Sequence, residues 1–288
     1  MRRRAGSARA ACRATRASKS EAGSIFIDSI LTEVFWCVKL GAMNANQPPL
    51  WRRAVAELLG TSLLVMIVVG SGIAAQQLSP NDVGLQLLQN STATVLGLTV
   101  LILIFGPVSG AHFNPAVSLV DWVLGRRSGT GLTLAELGAY VAAQTVGAIS
   151  GSVVANAMFE VGTSVSGKDR ATGGHLLGEV VATAGLILLV FALAATKRGV
   201  LAAPAVGAYI GAAYWFTSST SFANPAVTVG RIFSDTFAGI APGSVPWFVI
   251  AQLIGAAAGL GLLILLFPSA ARAADDVVLP HKAGKPGS

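Results

Sequence analysis

The chain has 288 residues, of which 53% are hydrophobic and only 11% charged, and its mean hydropathy is +0.67. Soluble domains carry roughly 25% charged residues, so a water-soluble enzyme or regulatory domain is excluded as the main body. The net charge of +7 does not point to nucleic acid, because the basic residues crowd the N-terminus (Arg2, Arg3, Arg4, Arg9, Arg13, Arg16, Lys19) or flank apolar stretches.

Residues 1–49 read as an N-terminal extension, disordered or lying ahead of the true start. Met43-Asn44-Ala45-Asn46 offers a second start, which would make 1–42 an upstream extension. The rival reading is an Arg- and Ser-rich targeting peptide, and Glu21, Asp28 and Glu33 count against it. Both cysteines, Cys12 and Cys37, fall in this segment, so the rest of the chain has no disulfide or thiolate metal site. Six stretches then follow at about 54–75, 91–106, 134–158, 176–195, 201–217 and 246–267. Each approaches the roughly 20 apolar residues a helix needs to cross a bilayer. The prediction is an all-α membrane protein whose single membrane domain takes up 50–268, its halves being 50–130 (with the third span to 160) and 175–268. Residues 269–288, with Asp275, Asp276, His281, Lys282 and Lys285, read as a solvated, disordered tail.

Basic residues beside the spans set the orientation. With the N-terminus inside, the cytoplasmic edges carry Arg52, Arg53, Arg126, Arg127, Lys197, Arg198 and Arg272, against Lys168, Arg170 and Arg231 outside. This predicts a multi-pass plasma-membrane protein with both termini cytoplasmic.

Between spans two and three, and again between five and six, the chain reads Asn114-Pro115-Ala116 and Asn224-Pro225-Ala226. Asn caps free backbone N–H groups, and Pro fits the first helical position, where its missing donor is harmless. Helices that begin within membrane-embedded sequence imply a cavity, because irregular backbone at that depth is tolerated only against protein or water. The segments also repeat: Ala56-Glu57-Leu58-Leu59-Gly60-Thr61 opens the first span, and Gly178-Glu179-Val180-Val181-Ala182-Thr183 the fourth. Three spans per half make the repeat inverted. Two short helices of about ten residues, or ~15 Å at 1.5 Å per residue, then meet tip to tip at the midplane.

These features resemble the aquaporin, or major intrinsic protein, family. The likeness rests on Ser109-Gly110-Ala111-His112-Phe113-Asn114-Pro115-Ala116-Val117, on Phe222-Ala223-Asn224-Pro225-Ala226, and on Glu57 with Glu179. It implies six spans plus two re-entrant half-helices, a homotetramer with a pore in each subunit, no cofactor or metal, and no partner beyond lipid, water and small neutral solutes. It further implies that Asn114 and Asn224 turn amide N–H groups toward the pore. Gly110, Ala111, His112, Phe222 and Ala223 would line it with carbonyl oxygens, while Glu57 and Glu179 brace the loops behind.

Most relatives carry Arg three residues after the second Asn, as one of four residues of a narrow outer filter; here that position is Val227. Ser221 follows from its place three before Asn224, and Ala212 from its place twelve before. The second-span member is Leu96 by the Gly-Leu-Thr pattern or Thr94 by an ungapped count. Arg231, one turn beyond Val227, belongs in the outer mouth or, alternatively, folds back to the constriction. A filter without large aromatic or cation would be wide and apolar, open to glycerol, urea or arsenite as well as water. The competing function is a secondary transporter with inverted repeats, for which Glu57 and Glu179 are the only coupling groups on offer.

Overall fold

The computed structural model describes residues 48–128 and 131–268; the expectations for the N-terminal extension up to residue 47 and for the tail lie outside these. In chain order the helices are α1 (Leu50–Leu78), α2 (Val83–Ser109), α3 (Pro115–Ser128), α4 (Leu134–Met158), α5 (Gly173–Ala195), α6 (Ala202–Phe216), α7 (Pro225–Gly230) and α8 (Val245–Leu266). Among the described residues, six segments are long and apolar enough to cross a membrane: α1, α2, α4, α5, α6 with the 3-10 turn before it, and α8 with the turn before it. The short helices α3 and α7 begin at the prolines of the two Asn-Pro-Ala triplets.

Local signals account for the boundaries. Asp82 caps α2 by accepting from the Leu85 N–H at 2.9 Å, and Thr133 with Glu136 forms a capping box at the start of α4. Gly110 ends α2 in the left-handed conformation at φ 87°, which only glycine adopts without strain. The second span is longer than hydropathy suggests because polar residues in its first half, Gln86 and Asn90, are buried with partners. Gln86 donates to Ser79 O at 2.7 Å, and Asn90 donates to Val68 O and to Ser71 Oγ, both at 2.8 Å. The short helices depart from equal length: α3 runs 14 residues, whereas α7 stops after six and tightens into a 3-10 turn over Arg231–Phe233. Asn156 of α4 holds that exit, donating to Phe233 O at 2.8 Å and accepting from Ser234 Oγ at 2.8 Å.

The inverted repeat is visible in the packing. Helix α1 lies on α4 as α5 lies on α8. Both contacts use glycines four apart: a Cβ on Gly147 or Gly151 would stand 2.3 and 2.2 Å from Leu58 O and Ser62 O. One on Gly255 or Gly259 would stand 2.5 Å from Val180 O and Ala184 O. Such small-residue seams let backbones approach where lipid offers no hydrophobic drive. At the face where α1 begins, the buried Arg53 forms an ion pair with the half-buried Glu136.

Candidate solute passage

The segments ahead of the two triplets have the same backbone. Ala111 and Phe113 have φ of 50° and 49°, and Ser221 and Ala223 have 49° and 48°. A non-glycine residue in this region costs about 1–2 kcal/mol, so something must hold it there. That brace is a buried carboxylate in each half. Glu57 accepts from the His112 and Phe113 N–H groups at 3.0 and 2.7 Å, and Glu179 from those of Phe222 and Ala223 at 2.8 Å each. Gln144 donates to Glu57 at 2.8 Å and to Ser118 Oγ at 3.0 Å; Gln252 repeats this on Glu179 at 2.6 Å and Thr228 Oγ1 at 2.9 Å. Both glutamates are fully buried, and each is ringed by donors, which is how an acid is kept inside a membrane protein.

With their N–H groups turned to the carboxylates, these segments present their other edge to a cavity. Gly110 to Asn114 and Ser221 to Asn224 all line it. The asparagines join the two halves reciprocally. Asn114 Nδ2 donates to Ala223 O at 2.7 Å, and Asn224 Nδ2 donates to Phe113 O at 2.7 Å. Their Oδ1 atoms accept from the first turns of their own helices, Asn114 from Ala116 N at 2.9 Å and Asn224 from Ala226 N at 3.0 Å and Val227 N at 3.2 Å. An amide nitrogen carries two hydrogens, so each asparagine keeps one N–H for the cavity. The Ala223 carbonyl, expected to face the passage, accepts from Asn114 with one of its two lone pairs.

The cavity is about 90 Å³, well above the ~10–15 Å³ that a single water needs. Leu64, Val68, Leu98, Ile102, Leu186, Val190, Val206 and Ile210 make most of its wall apolar. On the side of the second triplet the wall is polar, formed by Thr94, Tyr214, Ser221 and Arg231, with Val227 among them. Thr94 Oγ1 and the Tyr214 hydroxyl lie 3.2 Å apart, and Ser221 Oγ is buried without a hydrogen-bond partner.

Leu96, Ala212 and the outer-mouth placement of Arg231 are corrected here, the first and last in favour of the alternatives, Thr94 and an arginine turned inward. Leu96 is 64% exposed, while Thr94 is 1% exposed and lines the cavity with Leu98. Residues four apart share a helix face and one two positions away points elsewhere, so Leu96 faces outward. Ala212 is likewise exposed, and the cavity face of α6 belongs to Ile210 and Tyr214. Arg231 does not stand in an open mouth: it is 2% exposed, its guanidinium lies 3.4 Å from the centre of the Phe222 ring, and its Nε donates to Ala238 O. The polar side therefore contains an aromatic ring and a cation after all. Sequence reasoning also passed over Gln144 and Gln252; a lone Gln at matching depth in the third and sixth spans was the available signal.

His112 lines the cavity, with Nδ1 3.0 Å from Ser118 Oγ and its ring edge-on to Tyr140 at 5.4 Å. Phe222 meets Phe248 in the same way at 5.1 Å, so imidazole and phenyl occupy equivalent places. Over the second triplet, the loop between α4 and α5 packs on the segment after α7: Ser166 N donates to Ile232 O at 2.8 Å, and Ala241 N to Lys168 O at 2.7 Å. His175 Nδ1 donates to Arg170 O, 2.8 Å away, a helix-end contact away from the cavity lining.

Comparison with known proteins agrees with this geometry. The major intrinsic protein family model matches residues 44–222. The aquaglyceroporin AqpS of Rhizobium meliloti (strain 1021) is 51% identical over 216 residues, covering 74% of this chain and 89% of AqpS. The glycerol uptake facilitator protein of Pseudomonas aeruginosa is 29% identical over 269 residues, covering 80% of this chain and 95% of its own length. Among solved structures, the aquaglyceroporin from Plasmodium falciparum superposes with a TM-score of 0.58 at 20% identity, covering 77% of this chain and 98% of that one, which supports the fold. Matched by the family model over most of its membrane core and 51% identical to one member over 216 residues, the chain belongs to the major intrinsic protein family.

Proposed function

We propose that the cavity is the conducting passage and that it carries water and small uncharged solutes with acceptor oxygens, such as glycerol, urea or the trihydroxide of arsenite, down their gradients. The observation that carries this reading is the reciprocal asparagine pair, which leaves two amide N–H donors at the point where α3 and α7 meet. Each helix N-terminus is worth about +0.5 charge, so a cation or hydronium meets a positive barrier without its hydration shell. A neutral molecule exchanges its water partners for the asparagine N–H groups and slides along the apolar wall. Glu57 and Glu179 brace the loops and have no coupling role, since every carboxylate oxygen already accepts from a backbone N–H. The names of two relatives, an aquaglyceroporin and a glycerol uptake facilitator, fit this solute class.

Assembly as a homotetramer in the plasma membrane, with both chain ends cytoplasmic, belongs to the same reading and is supported by the basic residues beside the spans and by the many large apolar side chains on the outer surface. The deciding experiment is a stopped-flow panel on proteoliposomes with water, glycerol, urea and arsenite. Water together with at least one larger solute should pass at rates independent of pH gradient and sodium. Uphill accumulation driven by either would replace the channel with a transporter.

A further inference from the structure

We infer that the half of the passage beside the second triplet is a recognition station for small monocarboxylic acids, formed by Arg231 and Ser221; this rests on the cavity being the conducting passage. A guanidinium has five N–H donors in a fixed fork. Arg231 uses Nε on Ala238 O and its flat face on Phe222, leaving both terminal nitrogens without a protein acceptor among the described residues. Ser221, 4% exposed, has a hydroxyl with no partner and lines the same cavity. The fork matches the two oxygens of a carboxyl group, and the Ser221 hydroxyl and the Thr94–Tyr214 pair supply further polar contacts beside it.

The rest of the cavity decides between solutes. Val68, Leu98, Leu186 and Ile210 are hydrocarbon, so a polyol passes with some hydroxyls unpaired, at a cost for each, whereas a solute that gathers its polar atoms at one end keeps its apolar end against them. A carboxyl head on a short alkyl body fits both ends. The approach favours the same class. Lys168 Nζ and Arg170 Nη2 donate to Phe237 O at 3.2 and 3.0 Å, and Arg170 Nε donates to Gly239 O at 2.7 Å. With Arg231 on Ala238 O, three cations are ranged on three consecutive carbonyls. The acids nearby answer other donors: Asp235 accepts from Ser166 Oγ and Gly167 N, Asp169 from Ser244 Oγ and Ala171 N, and Glu179 from its loop. Among the described residues only Arg53 and Glu136 form an ion pair. Burial brings Arg170 down to about 10, and burial followed by Arg170 and Arg231 lowers Lys168. Arg170 still carries its charge at neutral pH, and an electropositive cleft concentrates anions and repels cations.

The test is uptake of radiolabelled lactate into proteoliposomes of the full chain, at pH 5 and pH 7, alongside water and glycerol flux. Lactate should enter at least fivefold faster than into empty vesicles and should saturate. Arg231→Leu should lower the lactate-to-water flux ratio at least fivefold, and Arg231→Lys, which keeps the charge but loses the fork, should lower it less. Lactate uptake equal to that of empty vesicles, while water and glycerol pass, overturns the station and leaves the channel standing. Failure of water and glycerol as well overturns the channel reading itself. An unchanged ratio in Arg231→Lys and Arg231→Leu removes Arg231 from recognition, and should the leucine variant not insert, the lysine variant decides alone.

Discussion

The two glutamine–glutamate pairs show how much of this protein rests on single side chains. Gln144 and Gln252 each put one N–H on a buried carboxylate and another on a hydroxyl at the fourth residue after the asparagine, Ser118 or Thr228. Leucine at either position removes both donors and leaves a charged acceptor under-satisfied in a dry site, a loss of about 1–3 kcal/mol. Gln144→Leu and Gln252→Leu should therefore each lower the thermal midpoint in detergent by several degrees and reduce solute flux. A midpoint within a degree of the parent would mean that the loops stand without this brace. The residue scale is also where the sequence was least legible. Asn114 and Asn224 announce themselves because Asn-Pro has one meaning at a helix start. Tyr214 does not, and Thr94 stands level with Leu96, because counting back from a motif fixes depth but not the rotation of the helix, and a two-residue error turns a wall residue into an outward one, as with Leu96 and Ala212. Arg231 could be placed in the outer mouth or at the constriction but not assigned to one of them, because its direction depends on Phe222 and on the Ala238 carbonyl, seven residues onward.

At the scale of elements, legibility improves, because helix type and length are set by local chemistry. Six spans and two interrupted ones follow from apolar runs and Asn-Pro. What hydropathy missed is where polar residues are buried with partners, as in the first half of α2, and where tertiary contacts cut a helix short, as Asn156 does at the end of α7. The seams between α1 and α4 and between α5 and α8 depend on glycine for space rather than conformation. A valine at Gly151 or at Gly259 would put Cβ 2.2 or 2.5 Å from Ser62 O or Ala184 O, and the obstacle is backbone, which cannot step aside. Gly151→Val and Gly259→Val should each abolish recovery of monodisperse protein by size-exclusion chromatography. Gly162→Val, at a loop position with nothing within 4 Å, should behave as the parent does. Equal yield of all three would show that the seam can open by rigid shift of a helix.

For the whole molecule, the repeat explains why one passage needs two copies of everything: each half builds a braced loop and a half-helix, and neither completes the cavity alone. The halves meet through the asparagine amides, Asn114 on Ala223 O and Asn224 on Phe113 O, two bonds that share one junction and two strained loops. Such bonds act as a unit. Removing the first leaves a buried carbonyl bare and lets the loops relax, so the second loss should find less to break. Asn114→Ala and Asn224→Ala should each cost about 1–3 kcal/mol. The double variant should fall short of the sum by more than the ~0.5 kcal/mol within which independent sites add. A double-mutant cycle by thermal denaturation in detergent measures this coupling, and proton leak under an imposed potential should rise in all three variants. Strict additivity with no leak would mean that the halves are held by the helix seams alone and that the central amides neither join them nor guard the passage.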